Sequence, residues 1–271
     1  MQALLNHPAV QGGLAPFVAA LIAAELFQRL RLSGLALVAG FATTVYLVSG
    51  FAFEPLTASR KIVLLGLGAA ALGVPLSWFA PRWIRPLLAL AGGLAAVWMA
   101  LRILQQQEAA AMLLWGIGCA LYTGWLVFWS DSLQGDSVRA GSAGLALGIG
   151  SGLAALFGAS ALLGLYGLSL AAAAGAYLLL QMITGHALPC GRGFTLPLSL
   201  VAALTACLGV MTADLPWYAL PLLAAIPLAA KIPVPAKSAL WVQSLLLSAA
   251  GLACAAGAVY LTWRIAGAPP I

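Results

Sequence analysis

Apolar residues fill the chain in blocks about one membrane thick, separated by short polar breaks. The longest block is the clearest. From Ala140 to Gly191 no residue carries a formal charge, and the only imidazole is His186. A membrane-spanning helix needs roughly 20 apolar residues to cross a hydrocarbon layer of ~30 Å. The stretch Ala140–Ile183 therefore holds two crossings, with a turn expected near Gly158-Ala159-Ser160.

The same pattern predicts ten spans along the chain. The first two are Pro8–Gln28, ending at Arg29 and Arg31, and Leu32–Phe53, stopped by Glu54-Pro55. Pro55 disfavours helix in the residue before it. The third, Ile62–Phe79, is entered from Ser59-Arg60-Lys61 with Ser59 as its expected cap. Leu87–Leu104 and Ala109–Trp129 are the fourth and fifth, and Ala140–Ile183 supplies the sixth and seventh. Phe194–Ala213 is the eighth, and Asp214-Leu215-Pro216 reads as a helix start with Asp214 as cap. The ninth, Trp217–Ala230, is short and carries Pro221 and Pro227. At 1.5 Å per residue it covers only ~21 Å. It is either a short crossing or a re-entrant segment, which would leave nine crossings and termini on opposite sides. Ser238–Trp263 is the tenth.

Composition turns this pattern into a class. Charged residues are 7 % of the chain and hydrophobic residues 63 %, against ~25 % charged in soluble domains. Too few polar groups exist to cover a water-facing surface. The expected fold is all-α: one transmembrane helical domain over residues 1–271, about ten spans with short turns, and no soluble domain. Twelve Lys and Arg give a net charge of +6. They occur singly or in pairs, not in the runs that track phosphates, so nucleic acid is not an expected partner.

Their distribution predicts topology. Arg29, Arg31, Arg82, Arg85, Arg139, Arg192, Lys231 and Lys237 fall on one side of the ten-span scheme. Arg60, Lys61, Arg102 and Arg264 fall on the other. The richer side is expected to be cytoplasmic. Both termini would then be periplasmic in a bacterial inner membrane. Trp78, Trp83, Trp129, Trp217, Trp241 and Trp263 lie near span ends, as an aromatic belt requires. Met1–Gln11 lacks the basic region of a secretory signal, so the first span is expected to remain. Cys119, Cys207 and Cys254 lie inside spans and Cys190 in a loop. Without a CxxC, neither a disulfide framework nor a zinc site is expected.

Few residues carry candidate chemistry. Gly144, Gly148 and Gly152 stack on one helix face and let another backbone approach, so they form the expected packing seam. That seam is read as intramolecular, with a homo-oligomer contact as the alternative. Glu25 lies one turn before Arg29, on one helix face in the favourable acid-first order. It reads as an interfacial ion pair or as part of a polar lining. Gln181 and Gln243 lie at similar depth near the same membrane side, so Glu25, Gln181 and Gln243 form the candidate polar cavity. No ionisable side chain falls at a predicted bilayer midplane, which argues against proton coupling. Pro16, Pro75, Pro197, Pro221 and Pro227 lie within spans and kink them. His186 and Cys190 share a loop but lack further ligands. No nucleotide, hydrolase or metalloprotease motif is present, so no catalytic residue, cofactor or metal is assigned.

Two functions fit these expectations. The first is a carrier or facilitator of a small neutral or lipidic solute. The second is a non-catalytic membrane subunit or assembly factor that packs against a larger complex, or a homodimer. A carrier needs a polar pathway through the bundle, whereas a subunit needs a small-residue face left uncovered. In size and span count the chain is similar to the drug/metabolite transporter type of carrier. The Lys/Arg bias runs opposite to that pattern and no motif supports the likeness, so no family is assigned.

Overall fold

The computed structural model describes residues 7–78, 81, 83–235 and 238–266, and among these all regular structure is helical. Chain order gives α1 (Val10–Gln28), α2 (Ser33–Val48), α3 (Ala58–Leu76), α4 (Ile84–Leu104) and α5 (Ala109–Asp131). These are followed by α6 (Ser137–Phe157), α7 (Ala161–Thr184), α8 (Arg192–Thr212), α9 (Trp217–Ala229) and α10 (Leu240–Ala266). Eight of them are long and apolar enough to cross a membrane, and α2 and α9 are shorter apolar helices. The chain is a multi-pass membrane protein.

Burial sorts the helices into a centre and a rim. The apolar stretch of α8 is 89 % buried, that of α6 72 % and that of α7 67 %, while the other long helices lie between 28 % and 39 %. The centre is therefore α6, α7 and α8. Around it, α1 and α2 pair and pack on α7, and α3 packs on α8. The α4–α5 hairpin also rests on α8, and α10 packs on α6. Leucines of the rim, among them Leu90, Leu94, Leu114 and Leu121, are exposed. A helix exposing leucine along its outer face is matched to lipid rather than water.

Small residues let the central helices approach. A Cβ on Gly148 would collide with the Ala171 backbone nitrogen, and one on Gly152 would lie 2.7 Å from the Leu168 nitrogen. A Cβ on Gly144 would lie 3.0 Å from the Ala174 Cβ. All three glycines thus face α7, where Gly164 and Gly167 leave matching room.

Helix ends follow local chemistry, with two corrections. The cap of α3 is Thr57, whose hydroxyl accepts from the Arg60 N–H at 3.4 Å, two residues before the register that would use Ser59. Asp214 caps nothing: α9 opens with a 3-10 turn at Trp217 after Pro216. The Asp214 N–H instead donates to the Gly158 carbonyl at 3.0 Å. Pro216 lacks an N–H and sits just outside the turn, where none is needed. The turn between α6 and α7 falls at Gly158-Ala159-Ser160, with Ala159 at φ 67°.

The short α9 is tied at both ends. Its start is held to Gly158, at the far end of α6, by the Asp214 bond. Past its end, the Arg139 guanidinium donates to the Ala230 carbonyl at 2.7 Å and to Ile232 at 3.1 Å. Arg139 lies at the near end of α6. Residues 214–232 therefore run between the two ends of a 21-residue helix, which spans about 31 Å. The extended residues before α9 supply the length the helix lacks.

Candidate functional site

One end of the bundle gathers Arg29, Arg31, Arg85, Arg139, Arg192 and Lys231, and is called the basic end below. Arg82 and Lys237 lie outside the described residues. At this end α3, α5 and α8 meet α4 around a buried ion pair. Arg192 Nε lies 2.8 Å from Asp131 Oδ1, and each side chain is 2 % exposed. Arg192 Nη2 lies 3.5 Å from Asp131 Oδ2, Arg85 Nε 3.2 Å and Gln134 Nε2 3.4 Å from the same oxygen. Arg192 Nη1 also donates to the Leu76 carbonyl at 2.6 Å, one of the carbonyls the end of α3 leaves without an intrahelical partner.

Neither charge serves its own helix. Asp131 is the last residue of α5 and Arg192 the first of α8. The helix dipole favours cations at a C-terminus and anions at an N-terminus, the reverse of this arrangement. The pair offsets that cost only by holding the helices together.

The loop between α7 and α8 is fastened beside this pair. Gly185 ends α7 with φ 67° and Gly191 precedes α8 with φ 66°, two left-handed positions that favour glycine. Gln181 is fully buried. Its Oε1 accepts from the Ser137 hydroxyl at 2.6 Å and from the Leu188 N–H at 3.4 Å. The Tyr177 hydroxyl donates to the Leu188 carbonyl at 2.9 Å, and the Ser33 hydroxyl to the Pro189 carbonyl at 2.6 Å. The Arg192 N–H donates to Ser77 Oγ at 2.9 Å. The loop thus takes two bonds from α7 and one from α2, while Ser77 at the end of α3 holds the start of α8. His186 is exposed and Cys190 is buried. Burial, then the nearby Asp136 carboxylate, pushes the Cys190 thiol well above the usual thiol range.

A cleft of about 630 Å³ opens on this loop, between the α5–α6 turn, α10 and Arg31. Gln134, Asp136, Ser137, Gln243 and Arg31 bring polar groups to it. Gln243 sits on the rim, its amide donating to the Ser238 carbonyl at 2.8 Å. Gln181 lies directly behind the wall, bonded to Ser137. Glu25 is exposed, is not part of the lining, and makes no ion pair with Arg29. The structure thus places Gln243 on the rim of the cleft and Gln181 behind its wall, outside the lining, and leaves Glu25 on the outer surface of α1.

Behind the rim, hydroxyls continue inward along the α6–α10 seam. Ser248 Oγ donates to Ser142 Oγ at 3.3 Å, and Ser142 Oγ lies 3.5 Å from the Ser244 carbonyl. Ser244 is 2 % exposed and its Oγ has no protein partner. Beyond them the seam closes where a Cβ on Gly251 would lie 2.8 Å from the Ala146 Cβ. On the far side of that closure, the same two helices border an apolar cavity of about 460 Å³, lined by Leu153, Phe157, Leu252 and Trp263 among others.

The end of α9 completes the basic end. Lys231 Nζ sits 4.1 Å from the centre of the Trp129 ring, a favourable cation–π contact. Burial, then nearby Arg85, pushes its ammonium below the usual lysine range. Arg139 is also paired with Asp136, at 2.9 Å.

The ion pair is not among the expectations drawn from the sequence, where Arg192 counts only toward topology. A signal is present: a carboxylate and an arginine border two long apolar spans at the same predicted membrane side. Among the described residues no cluster of three or more His, Cys, Asp or Glu is arranged to hold a metal. Comparison of the chain with protein-family models, with curated proteins and with solved structures gives no match.

Proposed function

We propose that this protein is a carrier or facilitator for a small neutral or lipidic solute in a bacterial inner membrane. In this reading the chain crosses ten times, with the basic end in the cytoplasm and both termini in the periplasm. The observation that carries it is the α6–α10 seam. A polar cleft lies at one end of a seam that buries three serines, one with an unpartnered Oγ, and beyond them Gly251 packs on Ala146. A buried hydroxyl without a partner costs about 1–3 kcal/mol, and a solute that hydrogen-bonds there recovers it. The lining is mainly uncharged, which suits a neutral solute. The apolar cavity beyond the closure suits an apolar part of the same molecule.

The small-residue face of Gly144, Gly148 and Gly152 would have favoured the subunit reading had it stood uncovered. It is covered by α7, so the carrier reading is preferred.

A cysteine at the rim tests the site. Gln243→Cys should react with a membrane-impermeant maleimide from the cytoplasmic side only. Fractions of a small-molecule extract of the host cells should slow that reaction when they contain the solute. Labelling from the periplasmic side, or labelling that no fraction slows, would count against a cytoplasm-facing solute site.

A further inference from the structure

At the end of the bundle opposite the basic end, a buried lysine bridges two helices. Lys61 sits just past the first turn of α3 and is 6 % exposed. Its ammonium donates to the Trp98 carbonyl on α4 at 2.8 Å and stands 4.7 Å from the centre of the Trp98 ring. An ammonium carries three donors and no acceptor, and both of these partners are neutral. Arg102 follows Trp98 by four residues, is exposed, and lies in the last turn of α4. That spacing puts it on the same helix face, one turn nearer the end of the bundle. Among the described residues neither cation is paired with a carboxylate. A buried charge with only neutral partners is costly, and a bound counter-ion offsets that cost. The dipole of α3 adds to the demand, because a helix N-terminus favours an anion over a cation.

The surroundings favour an amphiphile over a free ion. α3 packs chiefly on α8 and α4 chiefly on α5, and the two meet each other only briefly. Gly68 follows Lys61 by seven residues, which is about two turns inward on the same face of α3. A Cβ on Gly68 would meet nothing within 4 Å, so that face is open there. Leu64 on α3 and Leu94 and Leu101 on α4 are exposed, as lipid-facing residues are. Two cations thus stand at the end of the bundle, and an open apolar strip runs inward from Lys61. A phospholipid has that order of charge and hydrocarbon, whereas inorganic phosphate would use the cations alone.

We propose that Lys61 and Arg102 bind the phosphate of an anionic phospholipid, one acyl chain of which lies along the open Gly68 face of α3. Lys61 keeps the Trp98 carbonyl and gives a second donor to a phosphate oxygen, and the Arg102 guanidinium closes on the phosphate from the water side. Both are charge-assisted hydrogen bonds, stronger than neutral ones. A zwitterionic lipid brings its own ammonium toward two cations and is disfavoured. The site uses no residue of the basic-end cleft and is independent of the carrier reading.

The test is thermal melting of the full-length protein, stripped of lipid in a neutral detergent, against added phosphatidylglycerol. Phosphatidylcholine and sn-glycerol 3-phosphate are the comparison probes. Phosphatidylglycerol should raise the melting temperature saturably, and neither comparison probe should match it. Lys61→Gln and Arg102→Gln should each raise the half-saturating phosphatidylglycerol fraction by roughly tenfold or more, the loss expected for one hydrogen bond to a charged group. Gly68→Leu should also weaken the lipid effect while leaving the lipid-free melt unchanged, because its Cβ meets nothing. An equal rise with phosphatidylcholine overturns the proposal, as does an equal rise with glycerol 3-phosphate alone. So does an unchanged half-saturating fraction in Arg102→Gln or in Gly68→Leu. If Lys61→Gln fails to fold, the exposed Arg102 and the open Gly68 decide.

Discussion

Asp131 is where a single atom change should matter most. Asp131→Asn leaves Arg192 buried without its carboxylate, and breaking a buried pair this way costs about 3–5 kcal/mol. A thermal melt in detergent should show a large drop. Arg85 is 37 % exposed, and exposed pairs contribute about 0–1 kcal/mol, so Arg85→Ala should shift the melt little. Equal losses for the two variants would contradict a buried Asp131–Arg192 lock. Gly148→Leu should also lower the melting temperature clearly, because a Cβ there meets the Ala171 backbone, which cannot rotate away. Cys190 tests the loop. Its thiol is held protonated by burial and by Asp136, and only the thiolate is a good nucleophile. The thiolate fraction rises only at pH well above the usual thiol range. Maleimide at neutral pH should therefore modify Cys190 after unfolding and not before; rapid modification of the folded protein contradicts its burial.

At the scale of elements, the short α9 carries the sharpest topological prediction. Cysteines placed at Asp214 and at Ile232 should be labelled from opposite sides of the membrane, because bonds to Gly158 and Arg139 tie the segment to opposite ends of α6. Labelling of both from one side would make it re-entrant. The positions of the helices were legible in the sequence because apolar blocks of membrane length have few alternative folds. The turn at Gly158-Ala159-Ser160 was legible because the length of the uncharged block demanded one. What the sequence withheld was mostly partnership across helices. That Gln181 meets Ser137 and Leu188, while Glu25 faces outward, depends on helix rotation, and a helix hydrophobic on every side does not reveal its rotation. The capping error at Ser59 has the same root: Thr57 and Ser59 are both good caps, and the first helical turn decides between them.

For the molecule as a whole, a covered centre of α6, α7 and α8 sits inside a lipid-facing rim. The basic end opens beside the α6–α10 polar seam, and the glycine face that could have joined a partner is spent on α7. A protein built this way should work without a stoichiometric protein partner. Native mass spectrometry of the tagged protein, released gently from its own membrane, tests this most directly. The expected species is a monomer or homodimer that retains a small neutral or lipidic molecule, lost when Gln243 and Ser244 are both replaced by alanine. A stoichiometric complex with a different protein, with no small molecule retained, would contradict it.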